Sequence, residues 1–144
     1  MGRWIIQCDG TARPNPGDIA IGAVLTAPDG ARHTISRVTG HRGDGNEAEA
    51  RALIAALVHA QELGARSLAI TCDSDVVVAH TVRGAATTVP HLAVLYAEAR
   101  ALLASFDDVD LRWVPRHKNT EADALARGAL GLPVKKTHKP KRRR

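Results

Sequence analysis

The sequence contains very few aromatic side chains, since only Trp4, Tyr96, Phe106 and Trp113 occur among its 144 residues. Proteins that bind single-stranded nucleic acid commonly stack the bases on a platform of aromatic rings. With four rings in the whole chain, the sequence gives little support for binding of that kind.

Cysteine is equally scarce, and Cys8 and Cys72 form neither a disulfide framework nor a C-x-x-C motif. Each cysteine directly precedes an aspartate, Asp9 or Asp73. Because successive side chains of a strand point to opposite faces, we predict that the cysteines face away from the aspartates. We interpret both as small, buried, reduced residues of the core.

The sequence also lacks a membrane-spanning run and a leader of the secretory type. No stretch approaches the ~20 apolar residues that a membrane helix needs, and the first residues, MGRWII, show no signal-peptide pattern. We therefore expect a cytoplasmic protein without membrane association. Apolar residues make up 44% of the chain, which is enough for one domain with one core.

Positive charge is concentrated at one end of the chain. The formal net charge is +5, but the last ten residues, KKTHKPKRRR, contain seven Lys or Arg and no acid. Residues 1–134 therefore carry 13 basic and 15 acidic side chains. We predict a domain over 1–132 and a basic, disordered tail over 133–144 that attracts polyanions, because neutralised phosphates release counterions. A solubilising end or an expression remnant is the alternative interpretation.

Hydrophobic periodicity divides the body into five strands and four helices. Alternation and β-branched residues predict strands over 3–8, 19–28, 31–40, 67–72 and 110–115. Apolar residues three and four apart, together with start and stop residues, predict helices over 46–64, 73–84, 91–106 and 119–131. The order predicts an α/β fold with a mixed five-stranded sheet, in which three antiparallel strands precede parallel ones and helices flank the sheet.

Four carboxylates are candidates for chemistry: Asp9, Glu49, Asp73 and Asp123. Each also has a purely local interpretation. Asp9 could belong to an Asp-Gly turn, and Asp73 could cap the helix after its strand. Glu49 could reach back to the start of its own helix, and Asp123 follows Thr120 at the spacing of a capping box.

Their placement favours a shared site. Asp9 and Asp73 follow apolar strands, and ligands bind at the carboxyl ends of the strands in open α/β sheets. Glu49 lies four residues before Leu53, on the helix stripe that should face the sheet, where an unpaired charge is costly. Clustered carboxylates stay ionised together only beside a cation, and an all-oxygen set suits Mg²⁺ or Mn²⁺ better than zinc. Two such ions form the clamp used in phosphodiester cleavage.

Four segments carry a family resemblance: CDGTARPNPG, NEAEARALIAAL, CDSD and VPRHKNTEADALA, in this order. Together they resemble type 1 ribonuclease H over about residues 4–130. The resemblance implies a ribonuclease H-like fold and an endonuclease that cuts the RNA strand of RNA–DNA hybrids with two Mg²⁺ or Mn²⁺ ions, leaving 5′-phosphate and 3′-hydroxyl ends. It assigns the metal ligands to Asp9, Glu49, Asp73 and Asp123, and it disfavours the nearby Glu47.

The resemblance also implies that Asn15 and Asn46 contact the nucleic acid, although Asn15 could be only a turn residue and Asn46 only a helix cap. A hybrid would be recognised in its minor groove by shape and by the 2′-hydroxyl. On this interpretation the first strand ends on Asp9 because a metal ion needs a ligand there.

The chain departs from the family pattern in two places. The loop 115–119 is short, so His117 either assists proton transfer or product release from a short tether or only faces solvent. The segment 84–90 is too short for the basic protrusion of some relatives. We therefore expect loop cations and the tail to hold the duplex. The loop cations are Arg13, Arg42, Arg116 and Lys118.

Two alternatives remain open beside a hybrid-specific enzyme. One is a nucleic-acid-binding module that keeps the fold without catalysis, and the other is a related nuclease for structured RNA or DNA. The four intact acids disfavour the module, because a pure binder has no need of clustered negative charge. We expect the protein to be a monomer.

Overall fold

The computed structural model describes residues 2–133, so the predicted tail lies outside the described residues except for Pro133. The strands are β1 (Trp4–Arg13), β2 (Gly17–Thr26), β3 (Arg32–Gly43), β4 (Ser67–Cys72) and β5 (Asp108–Trp113). The helices are α1 (Gly45–Glu62), α2 (Asp75–Thr81), α3 (Pro90–Ala104) and α4 (Thr120–Ala129), and a 3₁₀ turn spans Arg116–Lys118.

The five strands form one mixed sheet in the order β3-β2-β1-β4-β5. β1 pairs antiparallel with β2, and β2 with β3, whereas β4 pairs parallel with both β1 and β5. The parallel pairs follow from the helical crossovers, because α1 returns the chain from β3 to β4, and α2 and α3 return it from β4 to β5. The predicted α/β fold with a mixed sheet is confirmed.

Helices cover both faces of the sheet at its centre. A Cβ built on Gly10 would lie 2.0 Å from the Ala48 carbonyl oxygen of α1, and a Cβ built on Gly22 would lie 2.3 Å from the Ala122 carbonyl oxygen of α4. Gly22 is paired with Asp9, the neighbour of Gly10, so the two contacts are on opposite faces. α3 packs against α1 on the first face, and the fully buried side chains Ile6, Leu53 and Leu57 lie between α1 and the sheet.

The first strand does not end on Asp9, and that prediction is wrong. β1 continues to Arg13 and pairs with β2 through Arg13 and Asp18, so Pro14 to Pro16 form a hairpin turn. The neighbour β4 stops earlier, because the last pair between β1 and β4 is Gln7 with Thr71. Asp9 therefore lies within a strand, just past the point where its parallel neighbour has ended.

The helix starts also differ from the predicted caps. Asp44, not Asn46, caps α1 and accepts a hydrogen bond of 2.9 Å from the Glu47 backbone N–H. Ser74, not Asp73, caps α2. α4 starts after Asn119 without a side-chain cap hydrogen bond. The local interpretations of Glu49, Asp73 and Asp123 as capping acids are therefore wrong.

Both cysteines are buried free thiols, as predicted. Burial raises the pKa of the Cys72 thiol to about 11 and raises the pKa of Cys8 as well. Cys8 shares the α1 face of β1 with Gly10, whereas Asp9 faces α4, so the predicted division of the two side chains between the faces is confirmed for this strand. Among residues 2–133, no helix has the length and apolar character needed to span a bilayer.

The close approach at Gly22 gives a direct test of the packing. Gly22→Ala should lower the free energy of unfolding by about 3 kcal/mol, because the new methyl group would overlap the backbone of α4. Gly128→Ala is the matched control, since nothing lies within 4 Å of its added Cβ, and it should stabilise the protein by ~0.5 kcal/mol. Urea unfolding of both variants measures the difference, and equal stabilities would contradict the packing.

Candidate metal centre and nucleic-acid cleft

Three carboxylates from separate segments meet at the carboxyl end of β4. One oxygen from each of Asp9, Glu49 and Asp73 lies within 4.8 Å of the other two, and no other such group of three His, Cys, Asp or Glu residues occurs within the described range 2–133. Asp123 of α4 lines the same cleft and lies close enough to Asp9 to raise its pKa. The four predicted acids therefore converge, although only three of them form the tight group.

Glu49 reaches the sheet because Gly10 has no side chain. The backbone N–H of Gly10 donates a hydrogen bond of 2.5 Å to Glu49 Oε1, and the same N–H lies 3.0 Å from Asp9 Oδ1. A Cβ at Gly10 would overlap the first turn of α1. Gly10 is thus required for packing inside the strand. The close approach of α1 lets Glu49 and Asp9 share the Gly10 backbone N–H as a hydrogen-bond donor.

Asp73 is held by contacts from the last third of the chain. Trp113 Nε1 donates to the Asp73 carbonyl at 3.2 Å, which fixes the backbone where β4 ends. Asn119 is only 2% exposed, and its Nδ2 donates to the Cys8 carbonyl at 2.9 Å and approaches Asp73 Oδ2 at 3.4 Å. Asn119 therefore connects the backbone beside Asp9 with the carboxylate of Asp73.

Asp123 occupies the first turn of α4 and has a cationic neighbour. Arg127 Nε lies 3.4 Å from Asp123 Oδ2, one helical turn further along. Because Gly22 has no side chain, α4 can approach β2 closely at Ala122 and Ala126. These two residues directly precede Asp123 and Arg127 in the chain. The fourth acid is thus positioned by helix-to-sheet contact, from the face opposite α1.

Burial makes simultaneous ionisation of the cluster costly. It raises the pKa of Asp9 to about 7 against an opposing hydrogen bond with Glu49, and the neighbouring Asp73 and Asp123 raise that pKa as well. Burial, followed by the charge of Asp9, also raises the pKa of Glu49 well above its usual value. A divalent cation would remove this cost, and an all-oxygen set is the donor chemistry that Mg²⁺ and Mn²⁺ prefer. The residues therefore fit such ions.

Four of the predicted nucleic-acid contacts lie around the acids. A cleft of about 330 Å³ includes Arg13, Asn15, Asn46 and Arg116 in its wall. Asn15 Oδ1 also accepts from the Gly45 backbone N–H at 3.2 Å, which ties the β1–β2 hairpin to the start of α1. The part of the cleft wall that surrounds the acids is thus polar and partly cationic.

Other predicted residues lie outside that wall. The exposed Lys118 and the partly exposed His117 belong to the 3₁₀ turn that begins at Arg116, and neither lines the cleft. Arg42 pairs instead with Asp18 at 2.9 Å on the surface. A cationic residue in a loop that was predicted to lie near the cleft therefore does not always line the cleft wall.

Glu47 has a different environment from Glu49. It is 7% exposed and receives a hydrogen bond of 2.8 Å from Arg51 Nε, while His91 Nε2 lies 3.5 Å away. The preference for Glu49 over Glu47 at the acidic cluster agrees with this geometry. Glu47 instead connects α1 with the start of α3.

Two side chains of the cleft region, Asn119 and Arg127, are not among the residues predicted from the sequence. Arg127 could have been found from its spacing of four residues after Asp123, which places the two on one helix face. Nothing local indicates that Asn119 is buried, because its partners are separated from it by 46 and 111 residues.

Comparison with known proteins places this geometry in a family. A family model described as reverse transcriptase-like matches residues 7–129. The ribonuclease HI of Halobacterium salinarum is 40% identical over 129 residues, which cover 90% of this chain and 65% of that protein. A bifunctional protein of Mycobacterium tuberculosis is 39% identical over 127 residues, which cover 88% of this chain. The chain spans only 35% of the length of this and two similar mycobacterial relatives.

Solved structures show the same likeness. The crystal structure of the RNase H1 from Halobacterium salinarum has a TM-score of 0.82 at 39% identity and covers 90% of this chain and 98% of that one. LC11-RNase H1, isolated from compost and crystallised with an RNA/DNA hybrid, has a TM-score of 0.80 at 30% identity and covers 90% of this chain and 97% of its own.

Burial of Asp9 predicts a pH dependence of stability without metal. A carboxyl whose pKa is raised by folding stabilises the folded state when protonated. This contribution is fully present below pH 3.8, the usual pKa, and is lost as the pH rises through about 7. In chelator, the unfolding free energy of the parent should fall by roughly 2 kcal/mol more than that of Asp9→Asn between about pH 5 and about pH 8, because Asp9→Asn keeps only the loss that comes from Glu49. Urea titrations at each pH measure this, and parallel curves would contradict it.

Proposed function

The chain belongs to the reverse transcriptase-like family, and we propose that it is an endoribonuclease that hydrolyses the RNA strand of RNA–DNA hybrids. The observation that carries the proposal is the convergence of Asp9, Glu49, Asp73 and Asp123 on one cleft. The hybrid in the crystal of LC11-RNase H1 supports the same substrate class.

The four acids would hold two Mg²⁺ or Mn²⁺ ions, with Asp9 central because it lies next to each of the other three. When bound, a pair of such ions supplies electrostatic stabilisation to phosphodiester hydrolysis and promotes attack by water. Asp73 and Glu49 are already oriented by Asn119 and Gly10, so little reorganisation is needed. The products would carry 5′-phosphate and 3′-hydroxyl ends.

The cleft wall would position the duplex. Asn15 and Asn46 would contact the sugar and base edges in the minor groove, where a hybrid differs from DNA by its shape and 2′-hydroxyls. Arg13 and Arg116 lie at the same wall and would neutralise backbone phosphates. Lys118, on the exposed turn beside Arg116, would reach phosphates further along the strand.

The role of His117 in proton transfer or product release stays a prediction. It lies on the 3₁₀ turn directly after Arg116, which lines the cleft. Action as a cytoplasmic monomer also stays a prediction.

Cleavage assays with Asp73→Asn test the proposed function. The parent should cut the RNA strand of a labelled hybrid with Mg²⁺ or Mn²⁺ and lose all cutting in chelator. Asp73→Asn keeps the side-chain shape but removes a metal-binding charge, so the rate should fall by more than about a hundredfold. Asp29→Asn, on an exposed turn between β2 and β3, is the matched control and should cut like the parent.

Three outcomes would reject the proposal or redirect it. Cleavage that survives chelation contradicts the metal mechanism. Hybrid binding by the parent without cleavage indicates a binding module. Faster cutting of double-stranded RNA or DNA than of the hybrid indicates a related nuclease with another substrate.

The basic tail should supply much of the attraction for the duplex. Replacing residues 135–144 by a neutral Gly/Ser segment of equal length, in an Asp73→Asn background that prevents cutting, removes seven positive charges. Hybrid affinity should fall, and the slope of log K against log salt should become flatter by at least ~2 units, because fewer counterions are released. Fluorescence anisotropy at several salt concentrations measures both. Unchanged affinity and slope would show that the tail takes no part in binding.

A further inference from the structure

Asp123 differs from the other three acids because its partner is a cation of the same helix. Asp9, Glu49 and Asp73 form the tight carboxylate group, whereas the Asp123 carboxylate is paired with Arg127. Arg127 also lines the cleft. Of the arginines that line the cleft, Arg127 thus places its positive charge in direct contact with one of the acids that are proposed to hold metal ions.

The Asp123–Arg127 ion pair is buried, but not all of its polar atoms have hydrogen-bond partners. The side chains of Arg127 and Asp123 are only 12% and 11% exposed. The Nε of Arg127 is buried and has no hydrogen-bond partner among residues 2–133, because its 3.4 Å approach to Asp123 Oδ2 is an ion-pair contact with poor hydrogen-bond geometry. The contact therefore restrains Asp123 without locking its oxygens, which leaves them available to another cation.

A charge this close has two opposite effects. In the metal-free protein it offsets the repulsion that Asp123 experiences from Asp9. When a divalent ion enters, the same charge repels the ion and competes for the Asp123 carboxylate. Together, the two effects make the cleft more stable without metal than a cleft with the four acids and no arginine. They also make it bind metal more weakly.

We propose that Arg127 is a positioning residue that acts as an internal counterion: it holds Asp123 in the metal-free protein and lowers the affinity of the cleft for divalent ions. The inference rests on the metal-binding role that the proposed function gives to the four acids. Arg127 acts through Asp123 and needs no contact with substrate.

Metal titration without nucleic acid tests the inference. The variants are Arg127→Gln and Arg127→Met, which remove the charge, and Arg127→Lys, which keeps it. Mn²⁺ alone is titrated by calorimetry and by the spin-resonance signal of the free ion. The neutral variants should bind Mn²⁺ roughly tenfold more tightly than the parent, since a repulsive charge at the cleft is removed. Arg127→Lys should stay within about threefold of the parent.

The sign of the expected change separates this role from a structural one. A variant that only disturbs the packing of α4 would bind metal more weakly, not more tightly. In an Asp123→Asn background, the gain on removing Arg127 should shrink, because the carboxylate for which arginine and metal compete is gone. In chelator, the neutral variants should unfold at lower temperature than Arg127→Lys, and saturating Mn²⁺ should narrow the gap.

Unchanged or weaker Mn²⁺ binding by the folded neutral variants would overturn the inference. The two neutral variants differ in polarity, so the result does not depend on one of them folding. This failure is distinct from failure of the proposed function, because hybrid cleavage by the parent and its loss in Asp73→Asn are measured separately.

Discussion

Mutual repulsion among carboxylates that share a partly buried cleft is the constraint on which the rest of the structure depends. Burial raises the pKa of Asp9 to about 7 and raises that of Glu49 well above its usual value, so the fold keeps both carboxyl groups where their ionised forms are poorly solvated. Such an arrangement persists only if the surrounding elements hold the acids in place and protonation or a bound cation relieves the repulsion. The acids come from β1, α1, the end of β4 and α4, so movement of one element would still leave the repulsion among the acids of the other three.

Close backbone contact supplies that rigidity. Gly10 and Gly22 lie on the two central antiparallel strands and allow helices to touch opposite faces of the sheet. The helix on one face delivers Glu49, and the helix on the other delivers Asp123. β4 ends one residue before the level of Asp9, and this early ending opens the space in which the carboxylates meet.

Neutral and cationic side chains around the acids hold the carboxylates in place and offset part of their negative charge. Asn119 joins the backbone at Cys8 to Asp73 through one buried amide, and Arg127 offsets the charge of Asp123 from within α4. The wall beyond the acids carries Arg13 and Arg116, where an approaching polyanion would need positive charge. Because residues 1–134 hold more acids than bases, binding of such a partner depends on where the cations lie and not on the total charge of the body.

The sequence by itself determined the class of fold and the identity of the four acids. Alternation and helical spacing are local properties, so the five strands, their mixed sheet and the helix carrying Glu49 could be predicted, as could the burial of Cys8 and Cys72. Tertiary structure alone decided that Asp9 lies inside a strand, that Asp44 and Ser74 are the helix caps, and that Lys118 lies outside the cleft wall while Arg116 lies within it. It also decided the contacts of Asn119. The reason is physical: strand register and helix-to-sheet approach join residues far apart in the chain, and no local pattern encodes which distant backbone group a side chain will meet.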